Sequence, residues 1–420
     1  MKKLFSLLIS LPLLAYATAP VEPAFNPKAA WLELENVIRQ QYAYADRPGL
    51  NFAQLLKEFE GRASNAASRQ EFKDLSQNFL RHFRDPHLNL GPYDSEDYSV
   101  FPTGSDMRAV YSQGKFIIED VKADGAADLA KIRPGAEIIS IDGLSARAAV
   151  EQVMGSQFDQ LTAEQITYAI NISLGGKRNC ERVLELSAAS QTSQHRLPAS
   201  YEAIQALEKD PTLSYKQIND IGYIRFNNSL GKAETVKEFD QAISVLLKTK
   251  ALIIDLRNTP SGGNTGVAEP ILGHFVKKKT AYQLYRVQEK GHSYRDARLQ
   301  VATTSPRSPY YAKTVVVLAG RWTGSMGEGM TIAWDAIGVR KIIGAPMADL
   351  LGGIKTVQLT QSNSWLEFGF ERMYHVNKSF REDFEPGLLT IPADRDADGN
   401  DPALIQALRF LSEDLQKPAK

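Results

Sequence analysis

The sequence predicts a mixed α/β protein, and three observations predict it. Residues 27–90 repeat apolar side chains at helical spacing. Residues 104–190 break into short strand-like runs separated by Pro-Gly and Asp-Gly turns. Residues 215–411 alternate unbroken apolar runs with amphipathic ones, the pattern of βαβ units around a parallel sheet. The chain has 420 residues and is 43% hydrophobic. That suffices for two or three cores at roughly 100–200 residues per domain.

Taken in order, Lys2 and Lys3 precede the apolar run Leu4–Leu14 and the triplet Ala15-Tyr16-Ala17. A basic start, a short apolar run and a small-x-small site predict a secretory signal peptide over residues 1–17. The run is shorter than the roughly 20 residues a membrane-spanning helix needs. The mature protein is therefore expected to be exported, to the periplasm or the extracellular space, and not to be an integral membrane protein. A helical subdomain is expected over 27–95. Its apolar positions are Trp31, Leu34, Val37 and Ile38, then Phe52, Leu55, Leu56 and Phe59, then Phe72, Leu75, Phe79 and Leu80. Pro86 should stop the last helix, which puts His87 on a loop or strand start.

Over 104–190, Lys115–Val121 reads as a strand, Ala126–Lys131 as a short helix, Arg133-Pro134-Gly135 as a turn, and Ala136–Gly143 as a strand ending in a tight turn. This order resembles a PDZ domain, with Ala136 where that family usually has Asp. The resemblance implies a groove that takes a peptide as an added strand on an open sheet edge. The α/β region is expected over 200–411. It contains strands at 222–226, 251–256 and 314–319, an amphipathic helix at 233–247, and a helix from Ser325 to Ala336. The charged residues beyond Leu411 predict a flexible tail over 412–420.

Lys+Arg and Asp+Glu both number 49, so net charge gives no reason to expect a nucleic-acid or anionic-membrane partner. Cys180 is the only cysteine, which excludes an intramolecular disulfide and a cysteine-based zinc site. The six histidines show no His-x-x-x-His spacing. Neither a metal nor another cofactor is expected.

Two loops could carry chemistry. Gly320–Gly329 follows one apolar strand and opens a helix. A serine there, Ser325, faces the first N–H groups of the helix, which have no partners of their own and can hold a developing oxyanion. Alone, Ser325 reads more readily as an ordinary helix cap. Asp255–Asn264 follows the other buried strand, and its Gly262-Gly263 pair can aim a second N–H at the same point. The expected oxyanion donors are Met326 and either Gly262 or Gly263. Arg257 is expected to pair with a carboxylate inside the scaffold.

Together, and with the PDZ-like unit before them, these loops resemble those of the C-terminal-processing, or tail-specific, serine peptidases. The family's Asp-Leu-Arg element appears as Asp255 to Gly263, and its serine element as Gly324-Ser325-Met326-Gly327-Glu328. The resemblance implies a crotonase-like (ClpP/crotonase) core carrying a helical subdomain and the PDZ-like insert. One branch of the family uses a Ser–Lys dyad, but Gly344–Gly353, where its lysine would stand, contains none. The other branch resembles tricorn protease and the interphotoreceptor retinoid-binding protein. It implies His87, in Asp85-Pro86-His87, as general base, and Glu385 as the acid, with Glu382 as the alternative because the Pro-Asp that usually follows is replaced by Leu389-Thr390-Ile391. His375 is the rival base, and Glu328 is expected to make a structural hydrogen bond near the first turn. The implied function is peptide-bond hydrolysis by acyl transfer on a protein or peptide substrate. The alternatives are a non-proteolytic peptide- or lipid-binding protein on the same fold and a hydrolase of esters or cyclic amides.

Overall fold

The computed structural model describes residues 24–207, 209 and 211–416, so the signal peptide expected over 1–17 lies outside the described residues. Three helices come first: α1 (Pro27–Gln41), α2 (Phe52–Ala63) and α3 (Arg69–Arg81). Each starts at a side-chain cap. Asn26 accepts the Ala29 N–H, Asn51 the Gln54 N–H and Ser68 the Glu71 N–H, which satisfies donors that a first turn leaves free. Their buried stripes include Trp31, Leu34, Ile38, Leu55, Phe59, Phe72 and Phe79. The helices do not close a core by themselves. Leu351, Leu359, Leu366 and Phe368 fill the same cluster from far downstream. Strand β1 (Asn89–Gly91) pairs antiparallel with residues 365–367.

A second unit follows: β2 (Met107–Ser112), β3 (Lys115–Val121), α4 (Ala126–Leu129), β4 (Glu137–Ile141), β5 (Leu144–Ser145), α5 (Ala146–Met154), α6 (Ala163–Gly175), β6 (Arg182–Ala188) and β7 (Gln191–Leu197). Its antiparallel sheet has the order β2-β3-β4-β6-β7. The unit encloses its own core from Phe101 to Leu197. It therefore runs past the boundary expected at 190, because β7 pairs along the whole of β6. The β2 edge of this sheet is covered by α6. The Asn171 side-chain amide donates to the Ala109 C=O and accepts the Ala109 N–H, both at 2.8 Å, and Thr167 accepts the Tyr111 N–H at 3.2 Å.

The rest of the chain holds α7 (Ser200–Leu207), β8 (Leu213–Ile218), β9 (Ile221–Phe226), α8 (Glu234–Leu246), β10 (Ala251–Asp255), α9 (Thr265–Leu272), β11 (Thr280–Val287), β12 (Gln300–Thr304), β13 (Thr314–Ala319), α10 (Met326–Ala336), β14 (Lys341–Gly344), β15 (Ile354–Leu359), β16 (Ser364–Gly369), β17 (Glu371–Tyr374), β18 (Leu388–Leu389) and α11 (Pro402–Leu415). The central sheet has the order β18-β14-β13-β10-β9-β8, parallel except at β8. All of β10 is buried, because α8, α9 and α10 pack on one face and α11 on the other. Two three-stranded antiparallel sheets, β1-β16-β15 and β12-β11-β17, complete this mixed α/β fold. Helix α11 continues to Leu415, so residues 412–415 are helical and not a flexible tail. Buried Leu411 and the ion pair of Arg340 with Asp414 hold this last turn. No helix among the described residues is long and apolar enough to cross a membrane.

Candidate active site

Strands β10 and β13 are parallel neighbours, so the loops at their carboxyl ends lie side by side, where α/β sheets present ligand sites. Main-chain hydrogen bonds continue the pairing into the loops. Thr259 N–H donates to the Trp322 carbonyl at 3.1 Å, and Gly324 N–H to the Thr259 carbonyl at 3.2 Å. Both Thr259 and Thr323 hydroxyls donate to the Leu256 carbonyl. Arg257 locks the base of the loop, with 2.7 Å contacts to Asp255 and to Asp401, as expected of a scaffold arginine.

Ser325 sits where the second loop turns into α10, with φ +50° and ψ −110°. A non-glycine residue reaches that region only when its surroundings hold it there. Glu328 supplies one constraint: its carboxylate accepts the Ser325 N–H at 2.7 Å. The other loop supplies the second. Gly262 has φ +65°, and a Cβ placed on it would stand 2.9 Å from the Ser325 Oγ and 2.4 Å from its Cβ. Only glycine allows this approach. The Met326 N–H begins α10 and has no acceptor among the described residues. The Gly262 N–H is committed to the Thr259 carbonyl at 3.0 Å. Of the two candidates in that turn, Gly263 has no such bond from its N–H among the described residues.

His87 is buried at 6% exposure. Its Nδ1 lies 3.0 Å from the Leu351 carbonyl. A carbonyl only accepts, so Nδ1 carries the proton and Nε2 keeps the lone pair, the tautomer a general base needs. Burial pushes the imidazole down to about 4, with Arg381 adding to the effect and the Leu351 hydrogen bond opposing it. Asp85 fixes the loop: it accepts the His87 N–H at 2.9 Å, the Leu351 N–H at 3.2 Å and the Tyr42 hydroxyl at 2.9 Å.

The segments that carry Ser325 and His87 are both bonded to one stretch, Asp349-Leu350-Leu351. Glu328 accepts the Asp349 N–H at 2.8 Å and the Leu350 N–H at 3.1 Å. On the other side, Asp85 and His87 bind both main-chain groups of Leu351. Arg381 donates to the Leu350 and Ser325 carbonyls and stands 3.7 Å from Glu328. Glu328 therefore has the structural bonds expected of it, and more. Burial pushes it up to about 8, against the opposing pull of Arg381 and the N–H donors. No hydrogen bond joins the Ser325 hydroxyl to His87 in this structure; such contacts often close only around substrate.

The two candidate acids lie elsewhere. Glu385 is exposed, on the rim of a neighbouring cavity. Glu382 is held 2.8 Å from Arg372, and burial pushes its carboxyl up. Among the described residues neither has a hydrogen bond or ion pair to His87. The imidazole is oriented instead by the Leu351 carbonyl, which sequence reasoning missed because a main-chain group has no residue-type signature. The rival base, His375, pairs with Asp335 at 3.2 Å, about 15 Å along α10 from Ser325 at 1.5 Å per residue. His82, His274 and His195 are bonded to Met154, Asp240 and Ser193.

Residues 220–386 match the model of peptidase family S41. The chain carries an S41 peptidase domain. No curated protein matches at the sequence level. Among solved structures, mature CPAF complexed with lactacystin is similar at a TM-score of 0.63 and 15% identity, over 92% of this chain and 97% of that one. The photosystem II D1 C-terminal processing protease is similar at a TM-score of 0.56 and 17% identity, over 88% and 95%. At such identity the likeness is one of fold. The S41 match and that fold together indicate a serine-type peptidase. The S41 segment contains Ser325, Gly262 and Glu328, while His87 and Asp85 lie outside it.

Proposed function

We propose that this chain is an exported peptidase that cleaves peptide bonds by acyl transfer from Ser325, with His87 as the base. The observation that carries the reading is the shared Asp349–Leu351 stretch, gripped by the serine helix on one side and by the His87 loop on the other. In this mechanism the Ser325 Oγ attacks the substrate carbonyl carbon while His87 Nε2 takes its proton. The oxyanion is held by the N–H of Met326 and of Gly263, and losing one such donor typically costs about 100–1000-fold in rate. His87 then protonates the leaving amine, and water repeats the sequence to release the acid.

The orienting role that a carboxylate usually fills falls to the Leu351 carbonyl, ahead of Glu385 or Glu382. It holds the tautomer but brings no negative charge to the imidazolium. The central parallel sheet fits a crotonase-like core, and the β2–β7 unit fits a PDZ-like insert that presents substrate tails. Because α6 covers the β2 edge, such a tail is held by side chains there and not by strand addition. Export rests on the Lys2–Ala17 pattern.

A fluorophosphonate probe tests the serine. Wild type should label at one site, and Ser325→Ala should not label and should not turn over unstructured casein. Equal labelling of the two proteins would overturn the assignment. No labelling of either, with peptide binding retained, would favour a binding protein on this fold.

A further inference from the structure

A cavity of about 740 Å³ opens between β2 and α6 of the second unit and the 346–349 and 381–385 loops of the core. Its inner wall includes Glu328 and Arg381, the side chains that bond the Ser325 main chain. Five arginines, Arg47, Arg84, Arg108, Arg321 and Arg381, line it together with six acids, among them Glu164, Asp383 and Glu385. Three are accounted for. Arg47 pairs with Asp349, Arg321 with Glu119 at 2.7 Å, and Arg381 donates to two carbonyls. Arg84 donates to the Pro48 carbonyl at 3.2 Å and has no ion pair among the described residues.

Arg108 projects from β2 and lies over the Phe101 ring at 5.8 Å. Among the described residues it has neither a hydrogen bond nor an ion pair, and its buried Nε has no acceptor. The acids whose fields reach it, Glu119 and Asp349, are those already held by Arg321 and Arg47. Burial and the nearby Arg321 push its guanidinium down to about 10. A half-buried cation without an anion is unfavourable, and its planar fork matches a carboxylate.

Resting on the peptidase reading above, we infer that Arg108, assisted by Arg84, determines specificity by receiving a carboxylate of the peptide substrate in this cavity. Main-chain strand addition does not compete at this point, since Asn171 and Thr167 already hold the Ala109 and Tyr111 groups. The carboxylate can be an acidic side chain near the scissile bond or the substrate's own terminus. Both offer the same fork partner.

The test measures binding of dye-labelled peptides to full-length mature Ser325→Ala protein. One peptide is neutral and C-terminally amidated, one is amidated with an internal Glu, and one is neutral with a free terminus. At least one carboxylate-bearing peptide should bind about tenfold tighter than the neutral amide, the expectation for one charge-assisted pair. Which of them does identifies the source. Adding Arg108→Met should erase the preference, and Arg108→Lys should restore only part of it because the fork is lost. In the Ser325 background, Arg108→Met should raise KM for the preferred peptide by more than it lowers kcat. Equal binding of all three peptides, or a preference that survives Arg108→Met, would overturn the assignment. Loss of labelling in wild type would instead defeat the peptidase reading and leave the binding comparison intact.

Discussion

A histidine that is to accept a proton must be neutral at working pH, and burial does this for His87. Its pKa falls from the ordinary 6.5 to about 4, so above pH 5 almost all of the enzyme has the base form. The sign is definite: kcat/KM should rise as pH increases through about 4 and be flat from 5 to 7. A pH–rate profile checks it, and an acid limb near 6.5 would show that His87 titrates as an exposed imidazole. Removing the imidazole by His87→Ala should lower the labelling rate of Ser325 by about 100–10,000-fold, the usual worth of a positioned general base.

The element that joins the two halves of the site is the stretch Asp349-Leu350-Leu351, which has no side chain in the chemistry. Two buried carboxylates grip it, Asp85 from the loop after α3 and Glu328 from α10. Asp85 also holds the His87 N–H and the Tyr42 hydroxyl. Asp85→Ala would orphan three buried donors, at roughly 1–3 kcal/mol each. A loss of at least about 3 kcal/mol by urea unfolding is expected, with slower labelling of Ser325 although Asp85 touches no reacting atom. An unchanged labelling rate in a destabilised protein would show that the Leu351 carbonyl does not depend on this grip. The elements themselves were legible in the sequence, because caps, apolar stripes and turn residues act locally. The helix expected from Ser325 starts at Met326, and the buried run 251–255 is indeed a parallel strand. The cover of α6 over β2 was not legible, since Asn171 and Thr167 look like ordinary helix residues until the edge strand lies beside them.

At the scale of the molecule, the second unit is tied to the core beside the site. Trp322 donates to the Ser105 carbonyl at 2.7 Å, and Asp120 accepts the N–H groups of Ala393, Asp394 and Arg395. Asp394 is buried next to Asp120, and one of its oxygens has no hydrogen-bond partner. Burial, with Asp120 adding repulsion, pushes Asp394 up to about 8, against the pull of Arg257. A carboxyl raised above its unfolded value of 3.8 stabilises the fold at acid pH, and that contribution is lost as pH rises through the folded value. Asp394→Asn should therefore raise Tm, and by more at pH 8 than at pH 5. Calorimetry at the two pH values decides it, and a gain independent of pH would mean that Asp394 is already ionised at pH 5.

By itself the sequence determined the kinds of elements, their order, the serine at a strand-to-helix turn, and the glycine pair that lets another loop approach it. These follow from short-range sterics and from the period of apolar residues. Only the tertiary structure decided that the His87 loop and the Ser325 helix bind one common stretch of chain, and that a main-chain carbonyl 264 residues distant bonds the imidazole. The physical reason is that partners of this kind are chosen by where packing places the backbone, and every residue carries the same carbonyl.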